Sequence, residues 1–159
     1  MVDLNRIDAR ILARLQAEAD VTIAELAEAV GLSSNACWRR VKAMEESGVI
    51  KSRVALLDAA KLGLGTTVFV NIRTSQHSEE WLEHFAKGVA GIPEIVEFYR
   101  MSGEVDYLLK IIVSDIAHYD RVYRKLIRVT SLLDVSSSFA MEQLKYTTAL
   151  PLSEVDFKA

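Results

Sequence analysis

Residues 22–48 read TIAELAEAVGLSSNACWRRVKAMEESG, and the way this stretch folds decides how the rest of the chain is read. Thr22 and Glu25 stand at the spacing of a capping box, in which side chains and backbone at a helix start satisfy each other's free donors. Ile23, Leu26, Ala27 and Val30 then supply the apolar stripe of a short helix, which Gly31 stops. After the Gly31-Leu32-Ser33 turn, Ser33 is suited to cap a further helix running to Gly48, a residue suited to left-handed closure. Cys37, Val41 and Met44 fall at i, i+4 and i+7, so they share a face that must be buried. Asn35, Trp38, Arg39, Lys42 and Glu46 then point largely the other way. Two helices joined by a short Gly-containing turn, the second with a polar and basic outer face, predict a helix-turn-helix.

Working outward, Leu4, Ile7, Ile11 and Leu15 fall at helical spacing with Asp8, Arg10, Arg14 and Glu18 between them. An amphipathic helix of about four turns is expected there. On the other side VIKSRVALLD, residues 49–58, reads as extended chain: a wing and the strand that leaves the domain. A helix fits the major groove of a duplex, side chains near its N-terminus reach base edges, and flanking Lys and Arg neutralise phosphates. By position Ser34, Asn35, Trp38 and Arg39 are groove-facing candidates, with Ser33 beside them at the helix start. Arg40, Lys42, Lys51 and Arg53 are read as phosphate contacts. A three-helix bundle with a solvated charged face fits this third of the chain as well.

Composition narrows the classes. The chain has 159 residues, half of them apolar, which is enough for about one large domain or two small ones. Its single cysteine cannot close an intramolecular disulfide, and no positively charged segment leads into an apolar run near Met1, so a cytoplasmic protein is expected. The longest apolar candidate, YLLKIIV at 107–113, is split by Lys110 and falls short of the roughly 18–20 residues of a membrane helix, so no membrane association is expected. A formal net charge of −3 argues against bulk affinity for nucleic acid. Residues 33–53 nevertheless carry Arg39, Arg40, Lys42, Lys51 and Arg53 against only Glu45 and Glu46, while residues 58–159 carry more Asp and Glu than Lys and Arg, and a local basic patch on an acidic protein suggests directed anion binding.

The remaining two-thirds repeats a strand-helix-strand pattern. Residues 66–74, TTVFVNIRT, alternate with Val68, Val70 and Ile72 on one face, and a helix with Trp81, Phe85 and Val89 follows. EIVEFYRM (94–101), the turn SGEVD (102–106) and YLLKIIV suggest a hairpin. Ser114-Asp115 opens a second helix holding Ile116, Tyr119, Val122, Tyr123, Leu126 and Ile127, and DVSSSFAM (134–141) closes the unit as a strand. The order β-α-β-β-α-β is the split βαβ, or ferredoxin-like, unit, with an antiparallel sheet and both helices on one face. Its helix-free face is expected to display Phe69 and Phe98 and to pack against a second copy, giving a symmetric dimer with paired DNA-binding heads.

The whole predicts an α+β chain: a winged helix-turn-helix domain at 1–52, a linker strand and turn at 53–65, and a ferredoxin-like effector-binding and oligomerisation domain at 66–159. The segments LNRIDARIL, ELAEAVGLS, RRVKAMEESGVI and above all SGEVDYLL, in this order, resemble the Lrp/AsnC (leucine-responsive, feast/famine) family of transcription regulators over nearly the whole length. SGEVDYLL is similar to that family's Gly-Asp-Tyr-Asp-Tyr pattern, with Glu104 and Val105 standing at two of its positions.

The resemblance implies binding to double-stranded DNA, no cofactor beyond a small amino-acid effector, and dimers that close into rings of four. It places the effector cleft between neighbouring dimers, near the hairpin turn and the last strand. Carried over residue by residue, this names Gly103, Glu104, Asp106 and Tyr107, with Met101 beside them, and Ser136, Ser138 and Ala140. ACWRRVK, VALLD, GLG and SSFAMEQLKYTTALP further resemble the family's cysteine-responsive branch, which makes cysteine the implied effector.

In such a pocket Asp106 or Glu104 suits the α-ammonium, and turn N–H groups or the Ser136 and Ser138 hydroxyls suit the α-carboxylate, because buried charges need partners. His77, His84 and His118 lie on different elements with no second ligand at metal spacing, so neither a metal site nor a catalytic constellation is expected. A stand-alone amino-acid-binding module and a small metabolic enzyme of ferredoxin-like fold are the rival readings.

Overall fold

The computed structural model describes residues 4–158, which form two compact units. One, the head, contains residues 4–56 together with 145–158; the other, the body, is Leu57–Leu144. The head is built from α1 (Arg6–Ala17), α2 (Ile23–Val30) and α3 (Ser34–Glu46). Their starts are held by side-chain caps. Thr22 and Glu25 form the expected reciprocal box, with Thr22 N donating to Glu25 Oε2 at 2.8 Å and Glu25 N to Thr22 Oγ1 at 3.3 Å. Ser33 Oγ accepts from Ala36 N at 3.3 Å. Gly31 closes α2 at φ 74°, a left-handed conformation that a Cβ would strain.

Ile11, Leu26, Val30, Cys37, Val41 and Met44 meet in the centre of the head, so the inner stripe of α3 is the one its spacing predicts. Two features differ from expectation. Asp8, placed on the polar side of α1, is only 5% exposed. Residues 51–58 form no strand, and in place of a wing the chain is an irregular segment with an Arg53–Glu45 ion pair at 3.3 Å. The physical reason is that a ribbon needs two β-forming runs around a turn, and this part of the chain carries one.

The body contains β1 (Thr66–Arg73), α4 (Glu79–Ala90), β2 (Ile95–Arg100), β3 (Tyr107–Val113), α5 (Ile116–Val129) and β4 (Asp134–Phe139). Its sheet has the order β2-β3-β1-β4, all neighbours antiparallel. Val68, Val70, Ile72, Leu109 and Ile111 point at α4 and α5 and are fully buried with Phe85, Val122 and Leu126. The two helices approach closely at Gly88, where a Cβ would stand 2.2 Å from Val129 Cγ1.

Phe69 lies on the helix-free face, 37% exposed, as expected. Phe98 does not. It packs on the core, edge-on to Phe85 with ring centroids 5.5 Å apart. A bulge between Ile95 and Glu97 is the cause: the extra residue breaks the alternation, so that Ile95 and Phe98 both face the helices while Glu97 and Tyr99 face out.

The chain's last part departs most from expectation. Residues 141–150 are exposed, and 145–158 belong with the head rather than with the body. A 3-10 turn at Leu152–Glu154 follows, Leu152 and Phe157 pack against the head core, and Lys158 forms a parallel bridge with Asn5. No helix among the described residues is long and apolar enough to cross a membrane.

Candidate nucleic-acid and effector sites

The outer face of α3 is a contiguous surface because the helical repeat makes it so. With Cys37, Val41 and Met44 committed inward, Ser34, Asn35, Trp38 and Arg39 are left exposed, Trp38 by 52%. An exposed indole on a polar helix face leaves a large apolar surface in water, which a partner can cover. Arg39 has no acidic partner among the described residues, and Lys42 is only loosely engaged, 3.9 Å from Glu46 in an exposed i,i+4 pair. Lys51 is exposed on the irregular segment, and Arg53 shares its charge with Glu45. Cations presented this way lose little when a phosphate replaces water or a weak surface partner.

Two of the nine DNA-facing candidates have a different primary role. The Ser33 hydroxyl is occupied as the cap of α3. Arg40 does not stand free on the outer face: its Nη1 donates to Asp8 Oδ1 at 2.8 Å and to Asn5 Oδ1 at 3.4 Å. Asp8 Oδ2 in turn accepts from Asn5 N at 3.0 Å, and Asn5 Oδ1 accepts from Ile7 N and Asp8 N. Arg40 therefore ties the middle of α3 to the start of α1. The Asn5-x-x-Asp8 spacing has the form of a capping box and is visible in the sequence; the partner on α3 is not. Cys37 is fully buried, and burial pushes its thiol up, away from the thiolate that would react or bind metal.

The effector candidates are not gathered into a cavity. Met101, Gly103 and Glu104 are exposed on the β2–β3 turn, where Gly103 takes φ 124°. Asp106 is a tie within the sheet, because its Oδ2 accepts from Thr74 N at 2.8 Å and its own N–H donates to Ile72 O at 2.9 Å. Tyr107 is 3% exposed and points to the helices, with ring centroids 5.8 Å from Trp81, 5.6 Å from Phe85 and 5.5 Å from Phe98.

Ser136 and Ser138 lie opposite Asn71 and Phe69 on the helix-free face, while Ser137 between them turns inward to the Tyr119 hydroxyl. Ala140 N donates to Thr67 O at 2.9 Å, near the far end of β1. From Ile72 to Thr67 a strand runs about 17 Å, so the hairpin turn and Ala140 cannot line one small pocket in one chain.

A cleft of 390 Å³ does exist in the body, at the end of the sheet away from the hairpin, lined by Leu57, Leu62, Leu64, Val96, Ile112 and His118 among others. None of the expected effector residues lines it. The helix-free face is mixed in character. Phe69 and Tyr99 are exposed there, and Lys110 Nζ donates to Glu97 Oε1 at 2.8 Å. That bond, with a second from the Tyr99 hydroxyl, holds the Glu97 carboxyl below the usual carboxylate range.

Residues 4–51 match the family described as winged helix-turn-helix DNA-binding, and residues 67–150 match the Lrp/AsnC ligand binding domain. A glutamate uptake regulatory protein of Zymomonas mobilis is 53% identical over 98% of this chain and 95% of its own length. The DNA-binding transcriptional activator DecR of Escherichia coli is 48% identical over 94% of this chain and 99% of its own. Among solved structures, an AsnC family transcriptional regulator from Agrobacterium tumefaciens superposes with a TM-score of 0.91 at 55% identity, covering 94% of this chain and 98% of that one. A transcriptional regulator from Neisseria meningitidis, solved as a complex with L-methionine, superposes with a TM-score of 0.87 at 33% identity over 94% and 97% of the two chains.

Proposed function

The chain belongs to the Lrp/AsnC family of DNA-binding transcriptional regulators with a ligand-binding domain, and we propose that it reads duplex DNA with α3 under the control of a small amino acid. Its relatives are regulators, not enzymes. The observation that carries the DNA reading is the division of α3: an inner stripe fully used by the core, and an outer face on which Ser34, Asn35, Trp38 and Arg39 are exposed. Asn35 and Arg39 suit the bidentate edges of adenine and guanine, Trp38 suits an apolar contact in the groove, and Lys42, Lys51 and Arg53 suit phosphates. Such a regulator works where the chromosome is, in the cytoplasm.

The effector is an amino acid bound where copies of the body meet. Glu104 supplies a carboxylate for its ammonium, while Ser136 and Ser138 offer hydroxyls on the same open face of the sheet. The scatter of these residues within one chain favours a site completed by a neighbour. The exposed Phe69 and Tyr99 favour dimerisation through this face, with dimers assembling further into a ring of four. Cysteine is the proposed effector, supported by the ACWRRVK and SSFAMEQLKYTTALP segments; the methionine complex of the Neisseria relative supports the amino-acid class. Binding shifts the arrangement of dimers and with it the spacing of the heads.

Fluorescence anisotropy with the duplex upstream of the protein's own gene tests the DNA reading. The expected result is tight, salt-sensitive binding that Arg39→Ala and Lys42→Ala weaken; no binding at low salt sinks it. Calorimetry with cysteine, methionine and glutamate on wild type and Ser136→Ala/Ser138→Ala tests the effector site. Equal binding by both proteins removes the serines from it.

A further inference from the structure

The segment after the last strand is not a loose end. Gln16, on α1, holds Leu150 from both sides, its Oε1 accepting from Leu150 N at 2.6 Å and its Nε2 donating to Leu150 O at 3.3 Å. Leu152 and Phe157 then lie against the core formed by the inner faces of α1, α2 and α3. At the end Lys158 makes a single parallel bridge: its N–H donates to Leu4 O at 3.0 Å, and its C=O accepts from Arg6 N at 3.1 Å. These bonds land on either side of Asn5, the cap of α1. Asn5 and Asp8 are the residues that receive Arg40 from α3. A continuous set of contacts therefore runs from the tail, through the start of α1, to the middle of the helix that presents Asn35, Trp38 and Arg39.

We propose that residues 150–158 are a positioning element of the DNA-reading head, acting through Asn5 and Asp8 on Arg40 to set the placement of α3. This deepens the DNA-reading assignment above and rests on it. Arg40 is thereby a brace, not a phosphate contact: its guanidinium is already matched to a carboxylate that is 5% exposed, and leaving that carboxylate without its cation is unfavourable. The tail has a second consequence. Residues 140–150 join it to β4 of the body, so the chain passes between head and body twice, after Leu56 and before Lys145.

The experiment compares four full-length proteins: wild type, Phe157→Ala, Arg40→Ala and the double variant. Affinity for the duplex from the protein's own upstream region is measured by anisotropy across a salt series, and backbone hydrogen exchange is measured without DNA. Each single variant is expected to bind about tenfold more weakly and the double variant also about tenfold, because both changes break one chain of contacts. The slope of affinity against salt is expected to stay at its wild-type value in Arg40→Ala. Exchange in Phe157→Ala is expected to rise in the first turn of α1 and in α3, with β1 and β3 unchanged.

Additive losses, about a hundredfold in the double variant, overturn the proposal, as does a salt slope lowered by about one in Arg40→Ala, which marks a lost phosphate contact. Unchanged exchange in the head of Phe157→Ala also overturns it. Should Phe157→Ala unfold the head by circular dichroism, Phe157→Leu replaces it, keeping apolar bulk while losing the ring. If wild type itself fails to bind the duplex, the DNA reading falls, and the exchange pattern alone decides whether the tail positions α3.

Discussion

The two surfaces assigned to function are built in opposite ways. The groove-facing candidates Ser34, Asn35, Trp38 and Arg39 lie on one helix, and they are exposed because Cys37, Val41 and Met44, on the same helix, are buried. The effector candidates are spread over a turn, two strands and the chain that follows, and two of them have structural work: Asp106 ties two strand ends and Tyr107 fills the core. A surface set by a local repeat keeps its members together whatever the rest of the chain does. A surface set by strand pairing keeps only those that register and parity happen to place on one side.

The largest expected effect tests that contrast at its sharpest point. Tyr107→Ala removes a ring packed against Trp81, Phe85 and Phe98 and should destabilise the body by about 3–5 kcal/mol in chemical denaturation. A stable variant that has lost only effector binding would return Tyr107 to the site.

Asp106→Ala leaves Thr74 N, on a residue 5% exposed, without its acceptor, and should lower stability by about 1–3 kcal/mol. If the melting point holds and calorimetry shows the amino acid no longer binding, the carboxylate is a ligand after all. Arg39→Ala should change stability by less than about 0.5 kcal/mol, because Arg39 is exposed and has no acidic partner among the described residues. The same change is expected to weaken duplex binding about tenfold in anisotropy and to relax base preference at the position it reads, whereas Lys42→Ala is expected to lower the salt slope by about one.

The smallest effect concerns pH. Glu97 is held below the usual carboxylate range by Lys110, so its contribution to stability is fully present above that range and is lost as pH falls through its lowered value. An acid titration of wild type against Glu97→Gln should show the wild-type body losing more stability below the usual carboxylate range, with the two curves parallel above it. Because Glu97 is part-exposed, the difference is small and shrinks with added salt.

Most of the fold was legible because its signals are local. The capping box at Thr22, the closure at Gly31, the stripe on α3 and the alternation of β1 each follow from residues a few positions apart. The misplacement of Phe98 has a definite cause, since a bulge between Ile95 and Glu97 is set by pairing with β3 and leaves no mark in a run of β-formers. The burial of Asp8 has a similar cause. A carboxylate between apolar residues reads as solvated until Arg40, from another helix, is seen to neutralise it. The tail is the extreme case: Leu152 and Phe157 find their partners far away in sequence, at the chain's other end.

The sequence by itself determined the element order, the inner and outer faces of α3, the strand-helix periodicity of the body and, through its motifs, the family. These depend on repeats of 3.6 and 2 residues and on caps, which act within a turn or two of chain. Only the tertiary structure decided that Arg40 pairs with Asp8 of α1, that Tyr107 and Asp106 serve the body's own packing, and that Leu152 and Phe157 pack on the head. Those outcomes depend on which distant groups meet once loops close, and a buried charge or a displaced strand parity is settled by its partner, not by its neighbours in sequence.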